Sequence, residues 1–117
     1  MTGCMIDTGE KKVPSITVQH LKAMLDGGDT ITLIDVREPN EHAICHLPNS
    51  RLIPLSTLPD RVGELPKEGL VVIHCHHGGR SCRAVEFLVG QGHANVVNLT
   101  GGIHAWATEI DSNVPTY

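Results

Sequence analysis

The 117-residue sequence contains no long apolar run and no excess of positive charge. A membrane-spanning helix needs about 20 consecutive, mostly apolar residues, and no segment approaches that length. The nine basic residues are outnumbered by thirteen acidic residues, and no basic run is longer than Lys11-Lys12. Proteins that bind nucleic acid usually concentrate Lys and Arg on one surface. The sequence therefore predicts neither a membrane partner nor a nucleic-acid partner.

A secretion signal and paired metal-binding cysteines are also absent from the sequence. Residues 1–7 carry neither the basic nor the apolar region of a signal peptide, which favours a cytoplasmic location. Cysteines in that compartment are normally reduced. No CxxC pair of the kind that holds structural zinc is present, so we expect no disulfide framework, no metal and no cofactor. The cysteines are Cys4, Cys45, Cys75 and Cys82.

No internal repeat or linker divides the chain, which predicts a single domain. Residues 1–13 are polar and aperiodic, and we expect them to form a loose leader before a domain over residues 14–117. Apolar runs then alternate with helical patterns, with strands expected at 31–36, 52–55, 70–75 and 96–99, and helices at 18–25, 57–65, 80–91 and 102–110. This alternation predicts an α/β fold in which helices flank a parallel sheet on both sides.

The most informative segment lies between a predicted buried strand and a predicted helix. It reads Cys75-His76-His77-Gly78-Gly79-Arg80-Ser81. Its two glycines can adopt positive φ, which lets successive amide N–H groups point inward as an anion-binding nest. The helix terminus and the arginine add positive charge and favour the thiolate over the thiol. A buried structural cysteine would need none of these features, so Cys75 is predicted to be a nucleophile.

Asp35 and Arg37 follow the other strongly apolar strand and are expected at the same edge of the sheet as the cysteine loop. Two interpretations of each stay open. Asp35 either helps to position Arg80 and the loop amides or caps the next turn. Arg37 either supports the site or forms a structural pair with Glu38, Glu41 or Asp35.

The histidines and the other cysteines receive weaker predictions. His76 and His77 are placed to recognise an anion, whereas metal binding by these two with His74 would require ligands from both faces of one extended segment. The remaining histidines are interpreted as scattered surface or edge residues, including His42, His46, His93 and His104. Cys82 either resolves a persulfide on Cys75 or packs inward, and packing is favoured. Cys45 is also expected to pack, and Cys4 to be open to oxidation.

Four ordered segments resemble the rhodanese family, and the resemblance runs from about residue 15 to the end of the chain. They are LIDVRE (33–38), ICHLPNS (44–50) leading to IPL (53–55), CHHGGRS (75–81) and LTGGIHAW (99–106). The resemblance implies a rhodanese-like fold with a central parallel sheet of about five strands and helices on both faces. It also implies a sulfurtransferase, in which Cys75 takes a sulfane sulfur from thiosulfate or another persulfide donor.

In the same resemblance, the persulfide on Cys75 passes its outer sulfur to cyanide, a thiol or a protein. The substrate-binding loop then consists of His76, His77, Gly78, Gly79, Arg80 and Ser81, with Asp35 and Arg37 in support. Four residues separate Cys75 from Arg80, as in the sulfurtransferases of the family, whereas related phosphatases and arsenate reductases have one more. The alternatives to sulfur transfer are a non-catalytic binding module and a phosphatase or arsenate reductase.

Two segments resemble the C-terminal domains of proteins that also contain an adenylyltransferase. These segments are residues 41–50 and residues 105–117. Such domains deliver sulfur to the C-terminal glycine of a carrier protein. The resemblance therefore implies two partners, a small anionic sulfur donor and a sulfur-carrier or other acceptor protein.

Overall fold

A six-stranded sheet forms the centre of the protein in a computed structural model that describes residues 4–8 and 11–117. The strands are β1 (Cys4–Thr8), β2 (Lys11–Ile16), β3 (Ile31–Asp35), β4 (Arg51–Leu52), β5 (Leu70–His74) and β6 (Val96–Leu99). Their order is β1-β2-β6-β5-β3-β4. Strand β1 pairs antiparallel with β2, and the other neighbours pair in parallel. The predicted parallel sheet of about five strands is confirmed.

Helices cover both faces of this sheet. They are α1 (Val18–Asp26), α2 (Pro39–Ile44), α3 (Leu58–Arg61), α4 (Gly79–Gly90) and α5 (Gly102–Glu109), with 3₁₀ turns at Leu55–Thr57 and Val62–Glu64. Alternate residues of each strand point to opposite faces, so Ile73 packs in one core cluster with Leu88 of α4. Val72 packs in the other cluster with Leu21 of α1 and Trp106 of α5. The α/β prediction is therefore confirmed.

The segment predicted to be a loose leader contains two strands. In β1 and β2 the pairing runs from Cys4 opposite Ser15 to Thr8 opposite Lys11, and β2 continues into the sheet beside β6. Strand β2 thus begins at Lys11, before the Pro14 at which the predicted domain starts. Two lysines and a proline conceal this strand in the sequence, because proline lacks the N–H group that strand pairing uses. The structure describes side chains from Val13 onward.

The parallel strands bring the predicted site residues to one edge of the sheet. Strands β3 and β5 are neighbours, and Asp35 lies opposite His74 in their register. The carboxyl ends of both strands therefore meet, with Asp35 beside the residue that precedes Cys75. Among the described helices, none is both long and apolar enough to cross a membrane.

Candidate active site

Cys75 directly follows β5, and the loop after it turns at once into α4. The turn depends on Gly78, whose φ of 116° lies in the left-handed region that residues with a side chain rarely adopt. Helix α4 begins at the next residue, Gly79. The strand, loop and helix that the sequence predicts around Cys75 are therefore all present.

Cys75 is one of the residues that line a small cavity. The side chain is 1% exposed, and the cavity of about 300 Å³ is lined by Cys75, His76, His77, Gly79, Arg80 and Arg83. The Gly78 amide donates a hydrogen bond to Sγ over 3.0 Å, and the Ser81 hydroxyl lies 3.4 Å from Sγ. Both donors stabilise negative charge on the sulfur.

The Ser81 hydroxyl has more than one acceptor within reach. Besides the Cys75 sulfur, these are the Gly78 carbonyl oxygen at 3.2 Å and the Asn98 Oδ1 atom. A hydroxyl carries a single proton, so the strength of its bond to sulfur depends on the other two acceptors. Asn98 was not predicted as a site residue, although a polar residue inside the apolar strand β6 is a signal that it has a specific partner.

Arg80 forms a bidentate ion pair with Glu41 at the rim of the cavity. Its Nη1 and Nη2 atoms donate to the two carboxylate oxygens over 2.6 and 2.9 Å. The hydrogen bonds from Arg80 lower the pKa of Glu41 to about 2, and Glu41 in turn raises the pKa of Arg80. Glu41 also accepts from the Glu38 amide in the capping box of α2. Helix α2 thus supplies a carboxylate that sequence analysis did not assign to the site.

Asp35 and Arg37 form an ion pair in the interior, and both side chains are 0% exposed. Arg37 donates to the two Asp35 oxygens from Nε and Nη2 over 2.9 and 2.7 Å, and His42 Nδ1 lies 2.8 Å from Oδ2. Burial alone would raise the pKa of Asp35, but these contacts and the nearby His74 lower it overall. Among the described residues, Asp35 bonds to Arg37 and His42 rather than to Arg80 or the loop amides.

Arg37 and Tyr117 connect this ion pair to the cysteine loop. Arg37 donates to the Cys45 carbonyl oxygen over 2.6 Å and to the Tyr117 hydroxyl over 2.7 Å. Tyr117 donates onward to Glu41 over 2.8 Å, and its ring stacks on that of His76 at a centroid distance of 4.0 Å. After Asn98 and Glu41, Tyr117 is a third residue of the site that was not predicted from the sequence.

The prediction of scattered surface or edge histidines is wrong for three of them. His42 binds Asp35, His93 is buried, and the His104 ring lies 4.8 Å from that of His77. His77 and His104 are distant in sequence but meet because β5 and β6, which precede them, end at the same edge of the sheet. Burial, reinforced by His77 and His104, lowers the pKa of His76.

Cys45 and Cys82 are both buried, free thiols. Cys82 lies on α4 in the core cluster of that face, and burial raises the pKa of its thiol. Cys45 belongs to the cluster on the opposite face. The burial of both side chains agrees with the packing expected of them. The predicted oxidation of Cys4 concerns a side chain outside the described part of the chain.

Comparison with known proteins identifies the family of the chain. A family model described as Rhodanese-like domain matches residues 17–109. A protein from Allochromatium vinosum named "Sulfurtransferase" is 39% identical over 95 residues, covering 81% of this chain and 89% of that protein. A crystal structure titled as a rhodanese-like domain protein from Staphylococcus aureus is 36% identical and superimposes with a TM-score of 0.76, covering 88% of this chain and 97% of that chain.

A longer relative agrees with the resemblance to adenylyltransferase-linked domains. The "Probable adenylyltransferase/sulfurtransferase MoeZ" of Mycobacterium tuberculosis is 36% identical over 108 residues, covering 91% of this chain but 28% of that protein. The present chain therefore corresponds to about a quarter of that relative. Since the family model spans most of the sequence, and the fold and the identities agree with it, the chain belongs to the rhodanese-like domain family.

Proposed function

We propose that this protein is a sulfurtransferase in which Cys75 carries the transferred sulfur as a persulfide. The observation that carries the proposal is that Cys75 lines a cavity, with the Gly78 amide and the Ser81 hydroxyl directed at its sulfur. The names of the relatives described above support the same class of reaction.

In the first step the Cys75 thiolate attacks the outer, sulfane sulfur of thiosulfate or of another persulfide donor. A new S–S bond forms to Cys75, the donor's S–S bond breaks, and its electron pair leaves with the departing group, which is sulfite when thiosulfate is the donor. The Gly78 amide and Ser81 hydroxyl stabilise the anionic sulfur, in the manner of preorganised donors at a developing charge. Arg80 and Arg83 at the cavity rim attract the anionic donor.

In the second step a nucleophilic acceptor, such as cyanide, a thiol or a protein, attacks the outer sulfur of the persulfide. The S–S bond breaks again, and its electron pair returns to Cys75 as the thiolate. The loop wall formed by His76, His77, Gly78 and Gly79 surrounds the transferred atom. Asp35 and Arg37 support the site indirectly, since Arg37 holds Tyr117 and Tyr117 contacts Glu41.

We further propose that one acceptor is a sulfur-carrier protein. Support comes from the 36% identity to the adenylyltransferase/sulfurtransferase and from the resemblance carried by segments 41–50 and 105–117 of the sequence. The outer sulfur of the persulfide would attack the adenylated C-terminal glycine and displace AMP, and an added thiol reductant would then cleave the resulting acyl disulfide to a thiocarboxylate and the Cys75 thiol. Mass spectrometry of an adenylated carrier protein with a C-terminal Gly-Gly, mixed with loaded protein and the thiol reductant, should therefore show AMP replaced by sulfur. A carrier that remains unchanged while cyanide removes the sulfur would contradict this assignment.

The mechanism is tested by the intact mass of the protein after incubation with thiosulfate. We expect a gain of one sulfur atom, its removal by cyanide with release of thiocyanate, and no gain in Cys75→Ser. Cys82→Ser is the matched control and should load normally, because Cys82, unlike Cys75, is not among the residues that line the cavity. Unchanged loading of Cys75→Ser, or hydrolysis of an aryl phosphate faster than sulfur transfer, would overturn the proposal.

A further inference from the structure

Three histidines meet where the cysteine loop contacts α5. His76 and His77 belong to the cysteine loop, and His104 belongs to α5. Each offers one ring nitrogen, and these three atoms lie within 4.8 Å of one another. The ring centroids are 4.0 Å apart for His76 and His77, 4.8 Å for His77 and His104, and 5.8 Å for His76 and His104. A convergence of three imidazoles is a donor set typical of transition-metal sites.

The backbone fixes the distance between the loop and α5. The His104 amide donates to the His76 carbonyl oxygen over 3.0 Å, and the Ile103 amide donates to the Cys75 carbonyl oxygen over 2.9 Å. Gly102 packs so closely on the same two carbonyl groups that a Cβ there would collide with them. His104 is therefore held against the loop by main-chain contacts and not only by the position of its side chain.

Two nitrogens of the cluster are available to a ligand. Within the part of the chain whose side chains are described, His76 Nε2 and His104 Nδ1 are buried and have no hydrogen-bond partner. Buried polar atoms are nearly always paired in native proteins, so two such atoms in one cluster indicate a common ligand. A cation suits them, because the lone pair of a neutral imidazole is an acceptor and a metal ligand.

We propose that His76, His77 and His104 bind a divalent transition-metal ion of the zinc class. Zinc sites with three protein ligands keep a fourth position open, and Zn–N distances of about 2.0–2.1 Å place tetrahedral ligand atoms roughly 3.4 Å apart. Rotation of the side chains would have to bring these atoms closer by up to about 1.4 Å to reach that size. No metal was predicted from the sequence, and a site that combined His74 with His76 and His77 was disfavoured. His74 lies fully buried within β5, and the third nitrogen of the cluster comes from His104 instead.

The proposed zinc site shares two residues with the Cys75 cavity. His76 and His77 line the same cavity as the cysteine, and a thiolate or persulfide is a strong zinc ligand. On the basis of the proposed function, bound zinc is therefore expected to slow sulfur loading. Binding itself depends on the histidines alone, so the two proposals are tested separately.

Isothermal titration of the full, reduced chain with Zn²⁺ alone tests the site. One equivalent of zinc should bind, and Cys75→Ser should retain this binding. His104→Ala should weaken the affinity by at least about tenfold. Even the loss of a residue that only hydrogen-bonds to a metal ligand typically lowers metal affinity 10- to 100-fold. His46→Ala is the matched control, because His46 stacks on His42 elsewhere at 4.3 Å and its loss should leave the affinity unchanged. Circular dichroism and His104→Gln establish that the fold survives the change.

Three results would overturn the zinc site. They are the absence of zinc binding by the parent protein, an affinity in both His104 variants equal to that of the parent, and a loss of affinity in His46→Ala as large as that in His104→Ala. Sulfur loading measured in the absence of zinc is independent of each of them. Failure of loading with intact zinc binding would instead contradict the persulfide mechanism.

Discussion

Single side chains decide how the Cys75 sulfur is stabilised. Ser81 reaches it with a hydroxyl that is also close to Asn98 and to the Gly78 carbonyl oxygen. Hydrogen bonds to charged groups contribute about 1.5–3 kcal/mol, but here the single proton is shared, so the lower end applies. The Gly78 amide has no such competition and remains the principal donor.

Replacement of Ser81 by alanine should therefore slow the loading of Cys75 by thiosulfate about tenfold, the equivalent of about 1.4 kcal/mol. Stopped-flow or quenched mass measurements of the first-order loading rate test this expectation. Ser56→Ala serves as a control, because Ser56 lies in the 3₁₀ turn at Leu55–Thr57, outside the cavity lining. A loading rate equal to that of the parent protein would show that the hydroxyl does not act on the sulfur.

Residues of the site differ in how far their roles could be predicted from sequence. Cys75, Gly78 and Ser81 lie within one short segment, so their meeting follows from local chain geometry. Asn98 is 17 residues from Ser81, and Glu41 is 39 residues from Arg80. Contacts over such separations depend on which strands become neighbours, and single-sequence patterns do not specify that.

The elements around the site are held together by the buried pair of Asp35 and Arg37. Asp35 ends β3, and Arg37 connects it to the Cys45 carbonyl oxygen and to Tyr117. Removing one partner of a buried ion pair leaves an uncompensated charge in the interior, which typically costs about 3–5 kcal/mol. This geometry favours a structural pair, and the bond from Arg37 to Tyr117 is the route by which the pair would also support the site.

We expect Asp35→Asn to lower the free energy of unfolding by about 3–5 kcal/mol, because the Arg37 charge loses its counter-ion. Urea unfolding followed by circular dichroism measures the change. The matched control is Asp26→Asn, which breaks the exposed i,i+4 pair with Lys22 and should cost less than about 1 kcal/mol. Equal effects of the two substitutions would contradict a structural role for the buried pair.

Among the elements, those with a strong local pattern were predicted well. The apolar runs of β3, β5 and β6 and the capped helix α1 are apparent in the sequence, and Thr17 accepts from the His20 amide as an N-cap should. Helix α2 was missed because it is short and has no buried residue. Its importance lies in one long-range contact, from Glu41 to Arg80, that helical periodicity does not reveal.

The stability of the whole molecule is coupled to pH through His74. This residue lies in β5 with a fully buried side chain, and neither ring nitrogen has a hydrogen-bond partner among the described residues. Burial lowers its pKa from the ordinary 6.5 to about 4. Between these two pH values the unfolded chain binds a proton that the folded chain does not. Acid therefore stabilises the unfolded state, and the stability present above pH 6.5 falls as the pH approaches 4.

Replacement of His74 by leucine, which has no titrating group, should remove this loss. The difference in pKa corresponds to about 3 kcal/mol across the window, so the unfolding free energy of the parent protein should fall more between pH 7 and pH 4.5 than that of His74→Leu. Parallel urea titrations at several pH values measure how the unfolding free energy of each protein changes with pH. His46→Ala should show the same pH dependence as the parent. Glu41, with a pKa of about 2, contributes stability that is lost mainly at lower pH, which separates the two effects. An identical pH dependence in the parent and in His74→Leu would show that the buried histidine does not set the acid stability.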